Sequence, residues 1–381
     1  MKIACISPSR VPSRTANSMQ AMKVSHALAQ LGNDVRLWLP GEKSTPWTDL
    51  CDLYGLENEF GLTWLKSWQF FRRYDFSYSA VKQAEDWGAD LVYTWLPQAG
   101  LFTLERNLPA ILEVHDRVRG KLGPWVFSKF SNHPGRKRLV MITHALQKVL
   151  EMEAGIHPAA NEIVISPNGV EWERFAIQPD ADEARASLGL PQIPTAAFSG
   201  HFYPGRGTGL LFSLAQAMPQ NQFLWIGGRQ EDIDYWHLKL DEAQVSNVIL
   251  TGFIENNRLP LYLAAAEVLM IPFERRIEGS SGGNSADICS PMKLFEYMAT
   301  GRTILTSDLP VIHEVLNERN ACFAPPEDLL AWQEALTYLF DHPRKMKVLG
   351  ESARMDSRQY NWLERERKAL AGFMDETNND G

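Results

Sequence analysis

A short block late in the chain combines residue types that can bind an anion. Residues 290–301 read SPMKLFEYMATG, and Ser290 and Pro291 favour the N-cap and the first position of a helix. The free N–H groups and the positive dipole end of such a helix attract anions. Lys293 adds a charge in the first turn, and Glu296 lies three residues further on, on the same face. A cation for a phosphate beside a carboxylate for ribose hydroxyls would clamp a nucleotide.

The same block has a simpler interpretation, a surface helix whose Lys293 and Glu296 form an ion pair without a ligand. A second segment, residues 198–209, reads FSGHFYPGRGTG and follows a predicted strand. Its GxGxG spacing alone would suggest a nicotinamide cofactor. We discount that interpretation, because the motif is displaced from the strand by several residues and lacks a clear acidic ribose partner.

Length and composition limit the possible classes of protein. The 381 residues suit two domains of about 150–200 residues each. The net charge of −8 argues against a nucleic-acid partner, and 45% hydrophobic residues is ordinary for a folded soluble protein. The four cysteines show no CxxC spacing, so neither a zinc site nor a disulfide framework is predicted. With no apolar run of about 18 residues and no signal-peptide pattern, we expect a cytoplasmic protein.

Alternating strand and helix patterns must position the chemical residues. The first pattern is a strand at residues 2–6, a helix closed by Gly32 and a strand at residues 34–39, which indicates a βαβ unit. Similar apolar runs predict strands at residues 90–94, 110–114, 139–143, 161–166, 195–199, 222–226, 247–251, 268–271 and 302–306. Compact runs of this kind are typical of parallel sheets covered on both faces. We therefore predict an α/β fold with two Rossmann-like, doubly wound domains facing a cleft, with ligands at the carboxyl ends of the strands.

Domain boundaries follow from a change in composition. Residues 176–194 are rich in Pro, Asp, Ala and Glu, and we place the inter-domain linker there. The predicted domains are residues 1–180 and residues 190–358. Residues 359–381 contain a helical pattern at 363–373, which we expect to cross back to the N-terminal domain.

Two segments, residues 64–73 and 117–138, interleave aromatic and basic side chains. The second holds seven Lys or Arg residues and no acid, with Trp125, Phe127 and Phe130 between them. One interpretation is a helix with a packed apolar face and a solvated basic face. The other is peripheral contact with an anionic membrane, because aromatic rings and basic groups suit that interface. Both remain open, and the second would favour a lipid-linked acceptor.

Residues 290–310, SPMKLFEYMATGRTILTSDLP, resemble the donor-binding segment of the family 4 retaining glycosyltransferases, the group 1 transferases of GT-B fold. Four further segments resemble the same family in the same order. They are residues 113–117 (EVHDR), 165–175 (ISPNGVEWERF), 198–209 and 251–254 (TGFI).

The resemblance implies a set of site residues. Arg206 corresponds to a phosphate-binding cation, Glu296 to the ribose ligand, and His115 to a histidine that contacts the donor sugar near the reaction centre. Asp116 would orient that ring or bind the acceptor, and Asn17 and Ser18 are acceptor-side candidates. The implied donor-binding residues are Gly200, His201, Arg206, Gly207, Phe253, Ile254, Ser290, Pro291, Met292, Lys293, Leu294 and Glu296.

One position departs from the family pattern. The family carries a first glutamate, eight residues before the one that matches Glu296, and this chain has Ile288 there. The sugar contact that this carboxylate makes in the family is therefore unassigned. Asp287 or the backbone around residues 289–292 are the candidates to replace it.

The resemblance implies a retaining hexosyltransferase that uses UDP-glucose or a similar UDP-hexose. Its acceptor would be a saccharide or lipid-linked saccharide in polysaccharide or glycoconjugate biosynthesis, at the inner face of the plasma membrane or free in the cytoplasm. No metal, cofactor or nucleic acid is expected. The alternatives are a sugar-nucleotide epimerase, for which we find no paired carboxylates, and a non-catalytic sugar-nucleotide-binding protein, which Ile288 motivates.

Overall fold

A computed structural model describes residues 1–42, 44–277 and 284–373. In these residues two parallel sheets, of seven and six strands, organise the chain. The strands of the first sheet are β1 (Lys2–Ile6), β2 (Asp34–Pro40), β3 (Gly61–Leu65), β4 (Leu91–Thr94), β5 (Ala110–Val114), β6 (Lys137–Met141) and β7 (Ile163–Ile165). Those of the second sheet are β8 (Thr195–Gly200), β9 (Gln222–Gly227), β10 (Val248–Leu250), β11 (Val268–Ile271), β12 (Thr303–Ser307) and β13 (Cys322–Ala324).

Helices connect these strands. In chain order they are α1 (Ala16–Gln30), α2 (Trp47–Tyr54), α3 (Tyr74–Asp86), α4 (Pro97–Leu104), α5 (Gly123–Ser131), α6 (His144–Ala154), α7 (Trp172–Ala176), α8 (Ala181–Leu188), α9 (Thr208–Ala217), α10 (Gln230–Glu242), α11 (Leu259–Ala264), α12 (Met292–Thr300), α13 (Leu329–Asp341), α14 (Pro343–Ser357) and α15 (Trp362–Leu370). None of the helices in the described ranges is both long enough and apolar enough to cross a bilayer.

Local sequence explains where several helices begin. Thr143 and Asp328 are N-caps, and their side-chain oxygens accept the N–H groups of Leu146 (3.0 Å) and Ala331 (3.1 Å). Each bond satisfies one of the N–H groups that the first turn of a helix leaves without an intrahelical partner. The strands follow from buried apolar runs, such as β11, whose four residues are fully buried.

The chain divides into two compact units. Unit 1 comprises Met1–Asn168 together with the chain from Trp362, and unit 2 comprises Gly169–Asn361. In unit 1, helix α15 packs against α1, and Arg138 of β6 donates to the carbonyls of Ala369 (2.8 Å) and Ala371 (2.9 Å). The region in which we predict a linker, residues 176–194, contains helix α8 and belongs to unit 2.

The predicted α/β class with two parallel sheets is confirmed, with differences at some strands. The edge strands β3 and β13 are missing from the prediction, because their sequences carry no aliphatic run like those of the edge strands β7 and β10. Strand β6 begins two residues earlier than predicted, at Lys137 and Arg138. These two charged residues enter the sheet because Lys137 pairs with Glu162 (2.6 Å), while Arg138 donates to carbonyls of the C-terminal segment.

The strand order reverses once in each sheet. The first sheet has the order β3-β2-β1-β4-β5-β6-β7, and the second has the order β10-β9-β8-β11-β12-β13. The chain therefore moves outward from β1 and then returns to the other side of it at β4, and it does the same at β8 and β11. In open parallel sheets, ligands bind at the carboxyl ends of the strands at such a switch point.

Candidate functional site

The loops that follow β8 and β11 meet at the switch point of unit 2. Glu274 donates its N–H to the carbonyl of Gly205 (3.1 Å). Gly207 has φ +78°, and a Cβ there would lie 1.8 Å from the carbonyl oxygen of Pro272. Only glycine allows this left-handed conformation and this approach of two backbones together. The glycine-rich segment therefore allows the two loops to pack closely at the switch point.

Two predicted phosphate ligands converge on these loops. The Lys293 Nζ lies 3.8 Å from the ring centroid of Phe198 and 5.6 Å from that of Phe273. The guanidinium of Arg206 lies 4.9 Å from the same Phe273 centroid. Gly200, with φ +132°, makes room for the lysine, because a Cβ there would lie 2.9 Å from Nζ. Arg206, Lys293 and Gly200 thus form one group of neighbours around Phe273.

The protonation of Lys293 depends strongly on this environment. Burial lowers the pKa of Lys293 well below its ordinary value, and the positive charge of Arg206 lowers it further, while Glu296 opposes the shift. Two cations held together on aromatic rings favour an anion between them, because an anion relieves both their repulsion and their loss of solvation. The group is therefore suited to bind a diphosphate.

Helix α12 begins one residue later than predicted. Its N-cap is Pro291, so Ser290 precedes the cap and Met292 is the first helical residue. Proline carries no side-chain oxygen that could accept an N–H group of the first turn, and the Leu294 N–H donates to the carbonyl of Pro291 (3.0 Å). Lys293 and Glu296 are both half-buried.

Tyr297 links helix α12 to strand β8. Its buried hydroxyl accepts the Ser199 N–H (2.7 Å) and donates to the Ser199 Oγ (3.0 Å), which ties α12 to the end of β8. Leu294 is also buried in the core of unit 2. Leu294 can therefore meet a donor only through its backbone, whereas Lys293 can do so through its side chain.

Ile288, which stands where the family has its first glutamate, lies inside unit 2. Ile288 has no exposed surface, and its N–H donates to the carbonyl of Ser285 (3.2 Å). Asp287, the neighbouring alternative, is exposed. Ile288 therefore contributes to the core, and its own side chain does not reach a ligand.

The predicted base-binding turn adjoins the same sheet edge. Gly227 donates its N–H to the carbonyl of Gly252 (2.9 Å), and Gly228 donates to the carbonyl of Gly200 (3.0 Å). The loops after β8, β9 and β10 therefore lie side by side. Phe253, in the loop after β10, is 39% exposed.

The two remaining predicted donor-binding residues of these loops are Ile254 and His201. Ile254 is half-buried. His201 stacks on Tyr203 with 5.2 Å between the ring centroids and 18° between the planes. The structure thus places both at the carboxyl edge of the sheet, as the sequence resemblance implies for donor-binding residues.

In unit 1, His115 follows β5 and is held by a buried carboxylate. Its Nε2 lies 2.6 Å from the Oε1 of Glu113. Glu113 also accepts hydrogen bonds from Gln20 (2.7 Å), Tyr93 and Arg365. The prediction of the site included neither Glu113, the partner of His115, nor the three residues that donate to Glu113. A glutamate inside an otherwise apolar strand was the available signal for Glu113, whereas nothing local marks Arg365, 252 residues away.

Asp116 and the acceptor-side candidates lie in unit 1 as well. Asp116 is half-buried and its Oδ1 accepts the N–H of Arg117 (2.8 Å). Asn17 is exposed in the first turn of α1. Ser18 is fully buried, and its hydroxyl lies 2.7 Å from the Ser13 carbonyl, which is the geometry of a residue that supports the loop. Of the two candidates, Asn17 has the accessible side chain.

Some aromatic side chains of residues 64–73 and 117–138 are buried, and others are exposed. Phe127 and Phe130 are fully buried, and the indole of Trp64 donates to the carbonyl of Val11 (3.0 Å), so these three rings stabilise unit 1. Phe127 and Phe130 therefore pack as the first interpretation expects, and Trp64 is half-buried. The rings that remain exposed are Trp68 (66%), Phe70 (89%), Phe71 (53%) and Trp125 (58%).

Within residues 1–42, 44–277 and 284–373, no three His, Cys, Asp or Glu side chains come together as a metal ion would require.

Comparison with known proteins identifies the class of unit 2 and the fold. Residues 194–342 match the family described as glycosyl transferases group 1. The structure is similar to that of HepE from Anabaena in complex with UDP, with a TM-score of 0.74 at 14% identity over 97% of this chain and 98% of that one. Residues 194–342 therefore form a group 1 glycosyltransferase domain, and the chain has the GT-B fold. The predicted fold is confirmed, and the predicted group 1 glycosyltransferase match holds for residues 194–342.

Two curated relatives indicate the range of chemistry in similar proteins. The teichuronic acid biosynthesis glycosyltransferase TuaH of Bacillus subtilis is 28% identical over 145 residues, which are 38% of this chain and 34% of that protein. The alpha-galactosylglucosyldiacylglycerol synthase of Streptococcus pneumoniae is 25% identical over 264 residues, which are 66% of this chain and 65% of that protein. The chain thus spans about a third of the first relative and just under two thirds of the second.

Proposed function

We propose that this protein is a retaining glycosyltransferase that moves a hexose from UDP-glucose or a similar UDP-hexose to a saccharide or lipid-linked saccharide. The observation that carries the proposal is the convergence of Arg206 and Lys293 on Phe273 at the switch point of a group 1 glycosyltransferase domain. The similar HepE structures in complex with UDP and with UDP-glucose support the choice of donor.

In this proposal each group around the donor has one task. Arg206 and Lys293 bind the diphosphate together with the first N–H groups of α12, Glu296 binds the ribose, and Phe253 stacks on the base. When the bond to the sugar breaks, negative charge develops on the leaving diphosphate. Cations that are already in position stabilise that charge without reorganisation, so the proposed reaction proceeds without a metal ion.

His115 and Asp116 are assigned to the reaction centre on the sequence resemblance. The geometry of unit 1 supports His115, because the Glu113 carboxylate holds one ring nitrogen at 2.6 Å. We name no protein group as the base for the acceptor hydroxyl, since such enzymes are credited with using the leaving phosphate.

The acceptor is proposed to be lipid-linked or to lie near a membrane. The names of the two curated relatives, one for teichuronic acid and one for a diacylglycerol glycolipid, support acceptors of this kind. In unit 1, Trp68, Phe70 and Phe71 are strongly exposed beside Arg72 and Arg73. Exposed rings next to basic groups suit an anionic lipid surface, which would be the inner face of the plasma membrane.

The membrane part of the proposal is tested by flotation with vesicles. The wild type should float with vesicles that contain phosphatidylglycerol and not with pure phosphatidylcholine. Replacement of Trp68 and Phe70 by serine should abolish the flotation. Tyr235→Ser is the matched control, because Tyr235 is 53% exposed on unit 2. Equal flotation of the double variant and the control would refute the assignment of this surface.

The function is tested with a panel of sugar nucleotides and acceptors. Binding of the correct donor should raise the melting temperature of the protein in proportion to affinity. Products should then be analysed for the new glycosidic bond and its anomeric configuration, with and without EDTA. Retained configuration and equal rates with EDTA are expected. Formation of an epimer without acceptor would instead indicate an epimerase, and tight donor binding with no product on any acceptor would indicate a binding protein.

A further inference from the structure

A buried polar cluster in unit 1 surrounds the carboxylate that holds His115. Its members, which we call the Glu113 cluster, come from five places in the chain. They are Gln20 on α1, Tyr93 on β4, Glu113 on β5, His115 after β5, and Arg365 with Glu366 on α15. All except His115 are buried, and the side chain of His115 is 25% exposed. Helix α15 thus places a charged residue directly behind the loop that carries His115.

Arg365 is the centre of the cluster. Its two terminal nitrogens bond to both Glu113 and Glu366. Its Nε donates to the carbonyl of Pro167 (2.8 Å), and one terminal nitrogen also reaches the carbonyl of Ser166 (3.2 Å). Five directional donors in a rigid plane make this arrangement specific to arginine, since a lysine would offer a single point charge.

The two carboxylates that share Arg365 ionise differently. Burial alone raises the pKa of Glu113, but Arg365, His115 and the Tyr93 hydroxyl outweigh burial and lower that pKa to about 2. Burial and the charge of Glu113 raise the pKa of Glu366 to about 7. Near neutral pH, Glu113 is therefore the member of the pair that carries a full negative charge.

An ionised carboxylate can only accept hydrogen bonds, and this determines the tautomer of His115. The ring nitrogen 2.6 Å from Glu113 is Nε2, so this nitrogen must carry the proton and donate it. In the neutral ring, Nδ1 then has the free electron pair. The orientation of the ring and the identity of its accepting nitrogen both depend on where Arg365 holds Glu113.

We propose that Arg365 is a positioning residue that, through Glu113, fixes His115 with the proton on Nε2 and with Nδ1 as the nitrogen offered to the substrate. The proposal rests on the proposed function in one respect, the contact of His115 with the donor sugar. It explains why α15, far from the donor site in sequence, contributes a buried arginine beside that histidine. A group that is held in one tautomer loses no energy to reorganisation when it meets a transition state.

The tautomer can be measured without any substrate. Long-range ¹H–¹⁵N correlation spectra of histidine-labelled protein distinguish the two ring nitrogens, and a His115→Gln variant assigns the signal. In the wild type the His115 proton should reside on Nε2. Arg365→Lys should give a mixture of both tautomers, because one point charge no longer fixes the Glu113 carboxylate. Glu113→Gln should also give a mixture, because an amide can accept from the ring or donate to it.

Arg367→Lys is the matched control, since Arg367 lies on the same helix with a 57% exposed side chain and pairs with Glu364 at the surface. It should leave the spectrum of His115 unchanged. In transfer assays, Arg365→Lys should lower kcat at least about tenfold and change the KM for the donor less than about threefold, since the histidine acts mainly on the transition state.

The outcomes separate this inference from the proposed function. A folded Arg365→Lys variant whose His115 keeps its proton on Nε2 alone would overturn the positioning role. Tautomer mixing in Arg365→Lys and Glu113→Gln, but not in Arg367→Lys, would support it. If the wild type transfers no sugar from any donor, the proposed function fails, and the spectra still decide the role of Arg365.

Discussion

The most direct test of the donor site is Lys293→Met. Methionine preserves the aliphatic contact with the Phe198 ring, 3.8 Å from Nζ in the wild type, and removes the charge. A hydrogen bond between a protein group and a charged partner contributes about 1.5–3 kcal/mol, which corresponds to an affinity change of about 10- to 150-fold. We therefore expect UDP to bind Lys293→Met about 10- to 150-fold more weakly, as measured by isothermal titration calorimetry.

The free protein should respond in the opposite direction. Burial and the charge of Arg206 disfavour the cationic form of Lys293, so an uncharged apolar side chain suits this position at least as well in the free protein. The melting temperature of the unliganded variant should equal or exceed that of the wild type, whereas a residue with a merely structural role would lower it. Lys347→Met is the control, because Lys347 is a lysine with a 77% exposed side chain in a surface ion pair. A UDP affinity within about threefold of the wild type would refute the assignment.

The same lysine predicts a pH dependence. In the free protein the pKa of Lys293 lies well below its ordinary value, and a bound diphosphate should raise it. Binding should therefore take up a proton between these two values, and UDP affinity should fall as pH rises through that window. Titrations in two buffers of different ionisation enthalpy measure the uptake directly. Loss of the uptake in Lys293→Met would confirm its origin, and an unchanged uptake would assign it elsewhere.

Three further predictions test the structure. Gly207→Ala should lower the free energy of unfolding of unit 2 by at least about 2 kcal/mol, because φ is +78° and the new Cβ would meet a backbone carbonyl. Gly209→Ala, whose Cβ would lie in open space, should not destabilise the unit. Equal urea midpoints for the two variants would contradict this prediction. Ile288→Glu should not restore a sugar contact, and it should lower the free energy of unfolding, measured in urea, by about 3–5 kcal/mol because it buries an uncompensated charge. Ile288→Val is the control and should have a mild effect. The pKa of Glu366 is raised from 4.5 to about 7, so the stability it contributes is present below pH 4.5 and is lost, by up to about 3 kcal/mol, as pH rises through 7. Glu366→Gln, which mimics the protonated form, should flatten that decline of stability with pH. Glu113, with a pKa of about 2, does not contribute to the change in stability between pH 4.5 and 7. An unchanged decline in the variant would rule out Glu366 as its cause.

Much of the fold could be predicted because its signals are local. The buried strands are short apolar runs, and the order of strands and helices indicates parallel sheets whatever the distant partners are. The donor segment was also recognisable, since Lys293, Glu296 and the start of α12 lie within one stretch of chain. The edge strands β3 and β13 were missed because their sequences, GLTWL and CFA, carry no aliphatic run like those of the edge strands β7 (IVI) and β10 (VIL), which were predicted.

Tertiary structure decided what local patterns leave open. Residues 117–138 look uniformly basic and aromatic, yet Phe127 and Phe130 are core residues and Trp125 is exposed, a distinction that depends on which face α5 packs against α4. The same holds for Ile288, whose burial shows that the missing glutamate position faces the interior.

The sequence by itself indicated the class of protein and the proposed donor motif, since both depend on residues that are neighbours in the chain. The structure alone decided that Arg206 and Lys293 share one aromatic ring, and that Arg365 holds the carboxylate behind His115 from 252 residues away. The physical reason is that burial and ionic contacts between distant segments form only when the chain folds. No local spacing encodes which buried charge will meet which partner.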